Sequence, residues 1–358
     1  MDSFVRAAAL THFAEVSATL GYNADAALRR AGLQPRVLQE PELRLPAEAV
    51  VGLLEAAARA TGCETFGLRM VQSRQLSNFG VVSLLLAHQG SLRGILTATI
   101  EHLHLLNNSL AMQMEDAGPL VFMREEVMSA MPARQSIELA IGVIHRTCAA
   151  LMGEGWRPRS VNFSHAAPAS LADHHQVFRC PVEFNADFNG MVFRAADLDV
   201  PNPTADPGLA RYAKTLLENV PSLGGGSVGR EVRRAVYLML PSGRATCESV
   251  AQSLGRSLRT LQRELDEEGT SFTALLAEVR QNLAQRYIEN PRYSLAHVAE
   301  LLGYSTHSAF TRWFALQFGQ SPATWRRQSL APGRRGQPRP ADAPALIEDP
   351  PSARRAPE

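Results

Sequence analysis

Residues 249–265 read SVAQSLGRSLRTLQREL, and residues 297–314 read HVAELLGYSTHSAFTRWF. Val250-Ala251, Leu254-Gly255 and Ser257 recur 48 positions later as Val298-Ala299, Leu302-Gly303 and Ser305. One inserted residue, between Ser305 and Phe310 at the start of the second copy's second helix, then shifts Leu261, Arg263 and Leu265 onto Phe310, Arg312 and Phe314. Each copy has the pattern of a short helix, a glycine turn and a second helix with one apolar and one polar face. That is the requirement of a helix-turn-helix, whose second helix enters the major groove while the first lies across the backbone.

In the first unit residues 248–254 form the support helix, Gly255 permits the sharp turn, and the Ser257 hydroxyl can cap the helix that follows. Leu258, Leu261 and Leu265 point inward, while Arg259, Gln262 and Arg263 share the opposite face at i, i+3 and i+4. Arginine presents two donors to guanine O6 and N7, and glutamine pairs with adenine N6 and N7. In the second unit residues 295–302 support, Gly303 turns, and Ser305 or Thr306 caps a helix running to about Gln317. Phe310, Trp313, Phe314 and Phe318 make its buried side and leave His307, Ser308, Thr311 and Arg312 outward. Between the units, FTALLAEVRQNLAQRYI is a helix of about 25 Å, long enough to hold two such helices near one turn of DNA, about 34 Å. The plain alternative, two αα-hairpins with solvated arginines, does not account for two matches in fixed register.

Charge agrees with this. The chain carries only +1 overall, but residues 230–328 hold 13 Arg against 9 acidic residues, a net of +4, and residues 1–229 are left at about −4. The 358 residues suggest about two domains. Cys63, Cys148, Cys180 and Cys247 lie far apart, which suggests neither a disulfide framework nor a zinc cluster and fits a reducing, cytoplasmic location. The N-terminus has no signal-peptide pattern and no apolar run reaches about 18 residues, so no membrane span is expected.

Before the repeats, apolar residues at three- and four-residue spacing predict amphipathic helices over 3–20 and 46–61, with Pro46 at the first helical position, and a short helix from Ala24 that Gly32 ends. Residues 66–108 continue mostly helical, broken at Gly80 and Gly90-Ser91. AMQMEDAGPLVFMREE alternates as two strands joined at residues 115–118, and a helix is predicted from about Pro132 to Met152. SVNFSHA, PVEFNAD and NGMVFRA add three short strands, which makes the first domain α+β with a small antiparallel sheet. The second is all-α with two helix-turn-helix units. The expected boundaries are 1–205 for the first domain, 206–229 for a linker containing PSLGGGS, 230–328 for the helical domain and 329–358 for a disordered Pro- and Ala-rich tail.

Residues 230–328, including GTSF after the first unit and the ending FGQSPATWRR, resemble the DNA-binding domain of the AraC/XylS family of bacterial transcription regulators. The resemblance implies seven helices, binding to double-stranded promoter or operator DNA, and contact with RNA polymerase. Arg259, Gln262, Arg263, His307, Ser308, Thr311 and Arg312 coincide with that family's base- and phosphate-contacting positions. TFGLRM, WRPRSVNFSHAAPA and FRCPVEFNADFNGMVF resemble the arabinose-binding-type N-terminal domain of one branch of these regulators. That implies a sensor and dimerisation module: a small-molecule effector, not identified by the resemblance, and a homodimer. The expected function is sequence-specific regulation, activating or repressing a nearby operon in response to the effector; the alternative is an enzymatic or protein-interaction domain fused to a DNA-binding module.

Other candidates are weaker. His102 and His104 lie about 200° apart around a helix and His174-His175 are adjacent, so neither pair is placed to share a metal, and no cofactor is expected. Gly224-Gly225-Gly226 matches neither dinucleotide nor P-loop spacing, and Ser164-His165 has no visible third partner. The apolar helices between 81 and 106, with His88, His102, Asn107 and Asn108, are one candidate lining for an effector pocket.

Overall fold

The alternating run after Asn108 folds as the predicted hairpin: β3 (Leu110–Ala117) pairs antiparallel with β4 (Leu120–Val127), and Gly118 turns with φ +67°. The computed structural model describes residues 3–153, 155–218, 227–290 and 293–330. β3 and β4 belong to a five-stranded sheet completed by β5 (Ser160–Phe163), β6 (Val182–Phe184) and β7 (Gly190–Arg194), in the order β3-β4-β7-β5-β6. A Cβ on Gly190 would stand 1.8 Å from the Met123 carbonyl oxygen, so only glycine lets β7 approach β4 there.

The sheet is not wholly antiparallel as expected. β5 and β6 pair in parallel, because helix Ala172–Phe178 carries the chain back across. The start of the chain also differs from the single predicted helix. Phe4–Arg6 is a strand (β1) paired with Arg44–Pro46 (β2), and a 3-10 turn at Ala7–Leu10 precedes helix Phe13–Thr19. The remaining helices fall near their predicted places: Ala24–Arg30, Ala47–Thr61 just after Pro46, Val82–Ala87, Leu92–Leu106 capped by Ser91, and Arg134–Met152. Their apolar faces share one core with β4, β5 and β7.

Helix Pro207–Glu218, inside the span expected to be linker, packs on Val82–Ala87 and adds Ala213 and Leu217 to the first core. PSLGGGS lies outside the described residues but for its final Ser227, and of the predicted tail all but Ser329 and Leu330 lies outside them.

Seven α-helices follow among the described residues. A lead-in helix, Val228–Met239, precedes a first pair, Cys247–Ser253 and Leu258–Glu267. The strut helix Phe272–Ile288 leads to a second pair, Leu295–Leu301 and His307–Phe318, and Pro322–Leu330 closes the domain. They enclose a second core built on Val236, Leu261, Val279, Leu283, Phe310 and Phe314.

Candidate nucleic-acid interface

Local chemistry sets the first pair. Thr246 caps its leading helix by accepting from the Ser249 amide at 3.1 Å, Gly255 turns at φ +65°, and Ser257 caps the trailing helix by accepting from Thr260 N at 3.1 Å. Leu261 and Leu265 are buried and Leu258 half-buried, while Arg259, Gln262 and Arg263 are all exposed. Arg263 lies 3.5 Å from Glu267 in an exposed pair, which costs little to open. Arg256, in the turn, bridges Glu231 of the lead-in helix and Glu264 of the trailing helix, at 2.8 Å each. Glu268 accepts from the amides of Val228 and Gly229 and from the Ser227 hydroxyl; burial works against it, but these bonds hold the carboxyl below its usual pKa.

The second pair follows the same plan with a longer turn. Ser294 caps its leading helix, and Gly303 turns at φ +72°. The trailing helix is capped by Thr306, which accepts from Ala309 N at 3.1 Å. The inserted residue therefore lies in the turn, ahead of the cap, and not after Ser305 as the sequence suggested. His307, Ser308 and Arg312 are exposed; Thr311 is half-buried with its hydroxyl oxygen covered and without a hydrogen-bond partner. Phe310 and Phe314 are buried, Trp313 and Phe318 half-buried. Arg280 of the strut donates to the Leu302 carbonyl at 3.0 Å and stands 4.9 Å over the Tyr304 ring. Burial lowers its pKa. Among the described residues none of the seven outward positions has a hydrogen bond or ion pair to the first domain.

Two polar faces, each on the trailing helix of a capped pair, stand on one domain. The family model described as "Arabinose-binding domain of AraC transcription regulator, N-term" matches residues 21–202, and that described as "Helix-turn-helix domain" matches residues 250–328. The chain belongs to the AraC family of transcription regulators. It is similar to the HTH-type transcriptional regulator VirS of Mycobacterium tuberculosis, 28% identical over 338 residues, 93% of this chain and 99% of that one. It is also similar to the Ornithine utilization regulator of Pseudomonas aeruginosa, 25% identical over 317 residues, 87% of this chain and 93% of that one. The Transcriptional activator NphR of a Rhodococcus matches over 97 residues at 34% identity, 27% of this chain and 29% of that one. As an AraC-family member the chain is a DNA-binding regulator of transcription, not an enzyme. No helix among the described residues is long and apolar enough to cross a membrane.

The helical domain is docked on the first domain through contacts that no spacing in the sequence announced. The lead-in helix packs on the β3–β4 hairpin, and Arg234 donates to the Asn108 carbonyl at 3.4 Å. Arg286 of the strut pairs with Glu126 at 2.5 Å and points an N–H at the Val127 carbonyl; burial opposes its charge, but Glu126 raises its pKa. Arg244 pairs with Glu115 at 2.6 Å, and Tyr293 donates to the Ser164 or Ala186 carbonyl, each at 3.1 Å.

The first domain also holds a partly open cavity of about 140 Å³ between β1, Ala47–Thr61, the end of Leu92–Leu106 and Arg134–Met152. Asn107 lines it, but His88, His102 and Asn108 do not. His102 Nδ1 meets its own helix at the Ala98 carbonyl, and Asn108 Oδ1 accepts from Phe4 N. Elsewhere His165 and His174 converge on buried Glu138 at 3.2 and 3.5 Å, and burial lowers His165 to about 4. Ser164 Oγ bonds Asn189, so Ser164-His165 builds no catalytic relay, and no metal-binding group of three ligands occurs among the described residues.

Proposed function

We propose that both helix pairs are DNA-reading units, which insert Leu258–Glu267 and His307–Phe318 into successive major-groove segments of a promoter. The observation that carries this is the shared geometry: two capped trailing helices, each with a buried apolar side and an exposed polar side, held by a strut of 17 residues, about 25 Å. Arg259, Gln262 and Arg263 read one segment; His307, Ser308 and Arg312 read the other, with Thr311 packed close to the backbone. RNA polymerase is the downstream partner, and a homodimer through the first domain doubles the site. We take the sensor domain to run through Glu218, since Pro207–Glu218 packs in its core, and the helical domain to start near Val228.

The first domain binds a small effector and passes its occupancy to the DNA-binding domain along the β3–β4 hairpin. Val127 supports this: the residue lines the cavity, and its carbonyl accepts from Arg286 of the strut. An effector acts only through different affinity for two states, here two ways of docking the domains. In a gel-shift assay the full chain should bind a fragment from upstream of its operon, with affinity that falls steeply as salt rises because phosphate contacts release counterions. Salt-independent binding, or none to any upstream fragment, removes the reading.

A further inference from the structure

The cavity in the first domain carries one feature that its apolar walls do not explain. Val50, Leu54, Leu103, Leu139 and Val143 are among a mostly apolar lining, yet Arg74 lines it too, at 6% exposure. Two Arg74 nitrogens donate to the carbonyls of Ala8 and Ala9 within the 3-10 turn, and Nε has no partner. Carbonyls satisfy donors but do not neutralise the charge. Among the described residues no carboxylate forms an ion pair with Arg74, whereas Arg6, buried in the same wall, is paired with Glu42. A buried, uncompensated guanidinium is costly, and proteins ordinarily pair it. Burial lowers its pKa to about 10, so it stays charged at neutral pH. A second polar atom on the same wall, Ser136 Oγ, is also buried without a partner.

We propose that this cavity binds a small apolar carboxylate, whose carboxyl group supplies the missing counter-charge to Arg74 and whose hydrocarbon body fills the apolar walls. The assignment rests on the reading of the first domain as an effector domain. Its volume, about 140 Å³, is near that of a cavity known to take a benzene-sized guest, so the body has on the order of six carbons. A carboxylate pairs with a guanidinium in the two-point geometry that arginine offers, and Ser136, also in the lining, carries a hydroxyl able to donate to its second oxygen. A free sugar fits this lining less well. Polar side chains are its minority, so most sugar hydroxyls would lie against carbon, each losing about 1–3 kcal/mol of hydration.

The test is calorimetric titration of the full chain with benzoate and hexanoate, beside benzamide, hexanol and L-arabinose as neutral probes. The acids should bind at least about tenfold more tightly than benzamide, hexanol or arabinose. Arg74→Gln should erase that difference. Because Arg74 also anchors Ala8 and Ala9, its variant can fail to fold, so Ala140→Leu provides a second arm: it fills the cavity without touching the charge and should weaken acid binding at least about tenfold at an unchanged or raised melting temperature. Equal binding of acids and neutral probes, no acid binding, or acid binding that survives Ala140→Leu overturns the proposal. Promoter affinity with and without benzoate separates the two readings. Acid binding that leaves DNA affinity unchanged keeps the site and removes its role as effector site; a neutral probe that binds and shifts DNA affinity keeps the effector domain and removes the carboxylate.

Discussion

The two helix pairs of the C-terminal domain share a plan and differ in what surrounds it. Counted from the caps Ser257 and Thr306, the trailing helices align throughout: Leu258 with His307, Arg259 with Ser308, Gln262 with Thr311, Arg263 with Arg312. One arginine is common to both faces. The inserted residue sits in the second turn, where Tyr304 is held by Arg280 of the strut, while the first turn is held by Arg256 between two carboxylates. The first pair packs on leucines; the second packs on an aromatic group of Phe310, Trp313, Phe314, Phe318 and Trp325. A duplicated scaffold can thus keep its register while its contacts, turns and core change chemistry.

The core difference should give the largest effect. Phe314 is fully buried, with ring centroids 4.3 Å from Phe318 and 5.7 Å from Phe310. Phe314→Ala should cost about 3–5 kcal/mol, and Leu265→Ala about 1 kcal/mol less, since aromatic pairs add to area burial. Trp313 and Trp325 are two of the three tryptophans, so urea unfolding followed by fluorescence reports this domain. Equal costs would mean that the aromatic group is ordinary apolar filling.

The helical domain was legible because its signals are local: caps, glycine turns and apolar spacing recur within about ten residues of the groups they organise. Less local features escaped. β1 and β2 are three residues each and pair across 40 positions, too short for any period to show. Strand direction in β5–β6 depends on helix Ala172–Phe178, which at seven residues is too short to show a clear period. The exposed DNA-reading candidates were visible as one face of a helix. The cavity was not, since Val5, Arg74 and Val143 meet only through the tertiary fold. The Glu126–Arg286 contact is of the same kind, a partnership between two domains.

The aligned arginines come next. Arg263→Ala and Arg312→Ala should each weaken binding to a preferred site by about 1–3 kcal/mol if both make base contacts. The loss should fall on different base pairs in a mutated-operator gel-shift series. Only Arg263 has an acidic neighbour, Glu267, among the described residues. Glu267→Gln should therefore raise DNA affinity, by less than about 1 kcal/mol, with no counterpart in the second pair. Uniform weakening across all sequences would reassign either arginine to phosphate.

The turns should differ less in size than in kind. Arg256→Ala and Arg280→Ala should each cost about 1–2 kcal/mol, because each removes bonds to a partly buried charge. The Arg256 penalty is ionic and should shrink as salt rises from about 0.1 to 1 M, whereas the Arg280 penalty, from a carbonyl bond and a ring contact, should hold. Unfolding at both salt concentrations separates them. Parallel salt responses would show the two turns to be held in the same way.

The caps give the smallest effect and decide the alignment. Ser257→Ala and Thr306→Ala should each cost about 1 kcal/mol, the usual value for a lost N-cap, while Ser305→Ala should be close to neutral because no cap bond of its own is made. The opposite result, a penalty at Ser305 and none at Thr306, would start the second trailing helix one residue earlier. Gln262, exposed, would then align with Phe310, which is fully buried, and Leu261, also buried, with Ala309. One helix cannot present equivalent faces in that register, so such a result would break the equivalence of Arg263 and Arg312 as well as the cap assignment.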